Sequence, residues 1–226
     1  CADDVLSTVN LGLDYYTLDS TGQILSGPTT ILAGRTFEGM NATWHANGVD
    51  IWVMSQSYPS GDYEAFLISC AGLDPNPVRS SVGIDFNNNL PSARGAIEFS
   101  SSSLVMAQGH PASWPVGDQE ASIFDFDNLT GVLSNPKHLS STLTTDEIYD
   151  IEFSPDDSKL YVTTKYGVVA YYDLNAGNTA AISGSFTTVT TLGDAAGGDE
   201  ASIEMGGDGR MYVNNISEAS LHRLSG

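Results

Sequence analysis

Ile151-Glu-Phe-Ser-Pro-Asp-Asp-Ser-Lys-Leu-Tyr-Val162 reads as a short alternating strand, a tight polar turn and a second apolar strand. The turn has a mechanical basis: Pro155 sets φ, and the Asp side chains can bond nearby backbone N–H groups. The same pattern returns in Ile97-Glu-Phe-Ser-Ser-Ser-Ser-Leu-Val-Met106 and in Ile203-Glu-Met-Gly-Gly-Asp-Gly-Arg-Met-Tyr-Val213. A degraded copy runs Ala42-Thr-Trp-His-Ala-Asn-Gly-Val-Asp-Ile-Trp-Val53. The copies start at residues 42, 97, 151 and 203, at steps of 55, 54 and 52 residues. A strand-built repeat of that length predicts a β-propeller.

Around the copies, apolar residues alternate with period two, and Gly, Pro, Asn and Asp punctuate every ten or so positions. Helix signals are nearly absent. In the third copy, Tyr149 to Ser154 reads as the innermost strand and Leu160 to Thr164 as the next. Val168 to Leu174 and Ala180 to Val189 follow, completing a four-stranded antiparallel blade. In the second copy, Ala121 to Asp127 and Val132 to Leu139 read as outer strands. Residues 203–226 hold three inner strands, ending at Leu221-His-Arg-Leu224. Residues 11–32 hold outer strands without inner ones, Leu13 to Leu18 and Gln23 to Leu32. The expectation is an all-β chain, residues 1–226, forming one propeller domain or propeller fragment with four visible blades. Either its ends share a blade and close a ring of four, which removes open sheet edges, or it is part of a six- to eight-bladed ring.

The charge narrows the partners. Eight basic residues against 28 acidic ones give a net charge of −20 over 226 residues. Such a surface repels phosphate backbones and anionic lipid, which argues against nucleic acid as a partner. No apolar run approaches the roughly 18 residues that span a bilayer. Two cysteines, Cys1 and Cys70, permit one disulfide. Cys1-Ala-Asp-Asp4 resembles the start of a mature bacterial lipoprotein. That likeness implies an acyl chain on Cys1 and attachment to the outer membrane; the plainer reading is that Cys1 merely begins the chain. Cys70 reads as a small buried hydrophobe at a strand end.

Three stretches in order, His45-Ala-Asn-Gly-Val-Asp-Ile-Trp-Val53, Phe124-Asp-Phe-Asp-Asn-Leu-Thr-Gly-Val-Leu-Ser-Asn-Pro136 and Ile151 to Val162, carry a family resemblance. Together they resemble the propeller domain of Bacteroidota secreted and cell-surface proteins related to gliding motility. The likeness covers roughly residues 11–226 and implies an extracellular or cell-surface setting. It supplies no catalytic residues. The chain departs from the pattern at Asp157, where Gly is usual, at Gly206-Gly-Asp-Gly209 in place of Ser-Pro-Asp-Gly, and in lacking the family's upstream blades.

In a propeller the turns of the first hairpins emerge on one face, and the loops joining strands two and three emerge on the other. Here the hairpin turns are short and alike, whereas Gln56 to Asp62, Val82 to Arg94, Gln108 to Glu120 and Leu192 to Glu200 are long and varied. Function concentrates in loops displayed by a rigid scaffold, so the second face is the expected binding face. Its candidate residues are Tyr58, Arg94, His110, Trp114 and Asp118. An exposed Trp114 would offer a flat platform to a sugar ring or a partner's side chain, with Tyr58 extending it. The bland alternative has Trp114 folded back on its blade and His110 a solvated bystander.

Glu98, Glu152 and Glu204 hold one position in three innermost strands. Facing a central channel together they could hold a hard cation such as Ca²⁺; otherwise they bond neighbouring backbone. No other cofactor is implied. The four histidines lack H-E-x-x-H spacing, and no G-x-S-x-G elbow occurs. The leading expectation is a non-enzymatic propeller that binds a protein or glycan partner. The alternatives are a propeller-type hydrolase, lactonase or polysaccharide lyase, and a structural subunit of a surface assembly.

Overall fold

A computed structural model of the chain describes residues 12–34, 36–58, 60–85, 95–110, 119–141, 143, 147–193, 200–216 and 221–224. A hairpin of β1 (Leu13–Leu18) and β2 (Ile24–Leu32) comes first and forms a sheet of its own. The first blade comprises β3 (Thr36–Trp44), β4 (Ile51–Ser57), β5 (Asp62–Ser69), β6 (Gly72–Leu73) and β7 (Val78–Ser81). Its fourth strand is split, because β6 and β7 pair with opposite ends of β5. Pro75 and Pro77 lie in the break, where two residues without N–H donors cannot continue a ladder.

The second blade runs β8 (Ile97–Phe99), β9 (Val105–Gly109), β10 (Gln119–Asp127) and β11 (Val132–Ser140), each paired antiparallel with the next. The third runs β12 (Ile148–Phe153), β13 (Lys159–Thr164) and β14 (Val168–Asp173). Helix α1 (Thr179–Gly184) then intervenes before β15 (Thr187–Thr191). The fourth has β16 (Ala201–Met205), β17 (Met211–Asn215) and β18 (Leu221–Arg223). Four antiparallel blades in series make the fold an all-β propeller.

Two expectations need correction. Residues 180–184 are helical rather than the start of a strand. Asn178 caps the helix, its side chain accepting from the Ala181 N–H at 3.0 Å, and Ala180-Ala181 favours helix over sheet. Nor do the chain ends share a blade among the described residues: β1 pairs with β2 and β18 with β17.

The core lies in the seams between blades. Between the first and second, Trp52, Met54 and Tyr63 pack with Phe99, Met106, Phe124 and Leu133. Ala107, Ile123 and Leu139 of the second blade pack with Ile151, Phe153, Leu160 and Tyr172 of the third. Val169 and Leu192 meet Ile203, Met211 and Val213 of the fourth. Each fully buried side chain of this size contributes about 1.5–3 kcal/mol, so the seams hold the blades in order.

The repeat extends to backbone conformation. Gly48, Ser103, Asp157 and Gly209 occupy one position of the hairpin turn, with φ of 68°, 58°, 55° and 72°. Glycine tolerates this left-handed region freely. Ser103 and Asp157 compensate with their side chains. Thr43 Oγ1 donates to Ser103 Oγ at 2.7 Å. Asp157 accepts from the N–H groups of Ser101 and Ser102, at 2.9 and 3.2 Å, and from the Ser101 hydroxyl at 3.0 Å. Each of the two ties its own turn to the preceding blade.

Candidate functional site

The innermost strands β3, β8, β12 and β16 carry Thr43, Glu98, Glu152 and Glu204 at equivalent positions, preceded two residues earlier by Asn41, Ala96, Asp150 and Ser202. Between the third and fourth blades these side chains close the seam. Glu152 Oε2 accepts from the Met205 N–H at 2.8 Å, and Asp150 Oδ2 from the Ile203 N–H at 3.0 Å. The other Glu152 oxygen accepts from the Phe153 N–H at 2.8 Å.

Between the first and second blades the chemistry differs. Thr43, unlike Glu152, meets a side chain rather than a backbone N–H across the seam: its hydroxyl donates to Ser103 Oγ of the second blade. Asn41 reaches over, donating to the Ile97 carbonyl at 2.9 Å and to Glu98 Oε2 at 2.6 Å. Glu98 therefore faces back toward the first blade, its Oε1 accepting from the Phe99 N–H at 3.2 Å. A recess of about 350 Å³ remains there, lined by Ala42, Thr43, Trp44 and Ile51 on one side and by Glu98, Phe99, Ser100, Ser101 and Ser103 on the other. Its volume falls at the low end of the roughly 300–1,000 Å³ of small-ligand sites.

Trp44 is 57 % exposed, while its counterparts Phe99 and Phe153 are 6 % and 2 % exposed. Those two phenylalanines pack in seams against the blade before their own. Trp44 follows Thr43 on β3 and so points, with the exposed Met40, to the side of the strand turned away from the second blade. Among the described residues no blade strand covers that side, and Trp44 borders the recess at its rim.

The axial carboxyls repel one another and are drawn out of water. Burial, followed by the charges of Glu152 and Glu204, pushes Glu98 up to about 8. Burial likewise raises Glu152 to about 7 and Asp150 to about 6, against the backbone N–H bonds that favour their ionised forms. Glu204 is exposed. Glu98, Glu152 and Glu204 do not gather into a cation cage: among the described residues no group of three His, Cys, Asp or Glu side chains is placed to hold a metal ion. The reason is directional. Glu98 points to Asn41 and Glu152 to Met205, so their lone pairs are spent on different seams. The plainer expectation, carboxylates bonding neighbouring backbone, describes Glu152 well and Glu98 in part.

On the opposite face, Tyr58 is 7 % exposed and packs on Phe37 with ring centroids 5.4 Å apart, so it does not extend an exposed platform. His110 is 1 % exposed and is neither a surface ligand nor a solvated bystander. Its Nε2 shares a 2.8 Å bond with Ser122 Oγ, which in turn meets His138 Nδ1 at 2.7 Å. One hydroxyl proton can serve only one of these contacts, so at least one of the two imidazoles donates to Ser122 Oγ. Burial, then the neighbouring His138, lowers His110 to about 3. Ser122 is itself fully buried, so the relay braces the second blade and offers no accessible nucleophile. A glutamine chain lies nearby: Tyr63 donates to Gln108, and Gln108 to Gln56. Arg94, Trp114, Asp118 and Cys1 lie outside the described residues. Cys70 is exposed in the turn before β6, not buried, because Gly72 at φ 101° turns the chain there.

The residues of the recess, Thr43 and Trp44 above all, escaped attention in the sequence. Their signal was the degraded first copy itself, which replaces the Glu-Phe pair of Glu98-Phe99 and Glu152-Phe153 with Thr-Trp.

No family model matches the chain, and no curated protein matches it. Solved structures do. The chain resembles Kluyveromyces lactis Hsv2 at 12% identity and a TM-score of 0.51, covering 89% of this chain and 58% of that one. Kuenenia stuttgartiensis hydrazine synthase gives 13% identity and 0.51, covering 81% and 57%. The β-propeller domain of Myceliophteria thermophila Cps50 (Swd1) gives 11% and 0.48, covering 81% and 51%. The chain thus spans about half the length of the solved structures it matches. At these identities the likeness is one of fold alone. Among the described residues, no helix is long and apolar enough to cross a membrane.

Proposed function

We infer that this propeller is a non-enzymatic binding module that engages a protein partner at the hairpin-turn mouth of its first seam. The observation that carries the reading is the recess beside Glu98. There an exposed Trp44, three serines and a partly buried carboxyl meet on a scaffold locked by packed seams. Exposed tryptophan at the rim of a polar recess is the composition of binding hot spots. The only described serine flanked by histidines, Ser122, is sealed from solvent, so the described residues favour recognition over bond making.

The resemblance of the first, second and third copies to gliding-motility-associated propellers supports a cell-surface setting and forms part of the proposal. So does a second binding surface on the long-loop face, built around Arg94, Trp114 and Asp118, which would suit a glycan or a further protein contact.

Arrays of immobilised peptides and glycans test this with three proteins: the unaltered chain, Trp44→Ala and Trp114→Ala. The expected result is peptide binding that Trp44→Ala abolishes while the protein stays folded, with only a modest drop in thermal midpoint. Binding lost only in Trp114→Ala would move the site to the long-loop face. Retention by both variants would overturn the assignment.

A further inference from the structure

We propose that the recess between the first two blades captures an organic cation, the ammonium or guanidinium of a lysine or arginine side chain offered by the partner, with Glu98 as its counter-charge and Trp44 at its rim. The proposal names the partner chemistry of the site just described and rests on that reading.

Three observations lead there. The first is vacancy of a particular shape. In the seam between the third and fourth blades the corresponding space is crossed by Glu152, which takes up the Met205 N–H. Thr43 leaves it open in the first seam, and Glu98 lies in the wall of the opening. The second is an unneutralised acid. Glu98 receives hydrogen bonds from Asn41 and from the Phe99 N–H, both neutral donors. The charged groups that bear on it are Glu152 from β12 and Glu204 from β16, both acidic. A carboxyl so placed is held in its neutral form by burial and repulsion, and an entering cation would reverse that preference. The third is the company it keeps. Three serines line the recess with hydroxyl oxygens and an exposed tryptophan stands at its rim, where the aliphatic stem of a basic side chain can pack while its charged head reaches the oxygens. The net charge of −20 draws basic partners to the whole surface and raises their encounter rate.

Binding would then be linked to proton release. Glu98 is neutral below about pH 8 and must ionise to pair with the cation. Affinity should rise about tenfold per pH unit up to about pH 8 and level off above it. Metal ions, which demand several converging oxygens, do not compete on equal terms in a recess with a single described carboxyl in its wall.

The test is calorimetric titration of the full chain with N-acetyl-arginine amide, N-acetyl-lysine amide and, as a neutral isostere, N-acetyl-norleucine amide, between pH 6 and pH 9. The expected result is binding of one or both cations, with the stated pH slope, and none of norleucine. Preference between the two separates guanidinium from ammonium. Glu98→Gln should abolish the slope and weaken binding at least tenfold at pH 9, and Trp44→Ala should weaken it at every pH. Melting curves show whether each variant remains folded. Should Glu98→Gln unfold, the pH slope of the unaltered chain still decides, with norleucine as control. Equal binding of norleucine, a flat pH profile, or no cation binding at pH 9 would overturn the inference. Peptide-array binding that depends on Trp44 but ignores basic residues would sink this inference and leave the proposed function standing.

Discussion

The first and last seams of the propeller are built from equivalent positions and reach opposite outcomes. Between the third and fourth blades, Asp150 and Glu152 cross the gap and take up two backbone N–H groups. Between the first and second, Asn41 and Thr43 stand in their places, and the crossings are made by an amide to the Ile97 carbonyl and a hydroxyl to Ser103. There these two side chains take up no backbone N–H of the second blade, and a recess stays open. One methylene group and a carboxylate decide between a zipped seam and a binding-sized cavity. A repeat protein can thus tune a site by editing one copy while the others keep the scaffold rigid.

The largest test of the contrast is a pair of aromatic truncations. Phe153→Ala should cost about 3–5 kcal/mol, since the ring is sealed in a seam. Trp44→Ala, at the equivalent position but 57 % exposed, should cost less, about 1–2 kcal/mol, in proportion to the area it still buries. Chemical denaturation measures both. Similar costs would mean that Trp44 is packed in solution and not available to a partner.

Titration separates the axial carboxyls from the buried His110. Glu98, Glu152 and Asp150 have folded-state values raised to about 8, 7 and 6. The stability they lend is complete below the ordinary carboxylate range and is lost as pH rises through these values. His110, lowered to about 3, acts in the other direction: its stability is complete above the ordinary imidazole range and is lost as pH falls toward 3. Melting temperature should therefore decline by several degrees from pH 6 to pH 9, and Glu98→Gln should flatten that decline. A melting temperature that climbs across the interval would show the carboxyls to be ionised in the native state.

Glu152→Ala leaves the Met205 N–H without its acceptor and should cost about 1–3 kcal/mol, whereas Thr43→Ala forfeits one hydroxyl bond and should cost about 1 kcal/mol. Equal costs in denaturation would erase the distinction between a zipped and an open seam. The smallest effect concerns the turn. Asp157→Ala loses the bonds to Ser101 and Ser102 while keeping a left-handed φ of 55°. Asp157→Gly loses the same bonds but relieves that conformation, so Gly should exceed Ala in stability by about 1 kcal/mol.

Local chemistry carried most of the architecture. Strand alternation, the polar turns after Phe99 and Phe153, and the recurrence of Ile-Glu at 97, 151 and 203 announce blades, because each depends only on residues a few positions apart. The helix at Thr179–Gly184 slipped by, its Asn178 cap hidden among many loop asparagines. Packing across seams is another matter. Tyr58 and His110 are buried by partners from other strands, Phe37 and Ser122 among them, and whether Glu98 turns back or Glu152 forward depends on residues more than 50 positions away. The amino-acid order by itself determined a radial repeat of antiparallel blades and a strongly negative surface. Tertiary structure alone decided which carboxyl met which blade and where space was left between them, since that choice depends on side-chain reach across an interface no local pattern encodes.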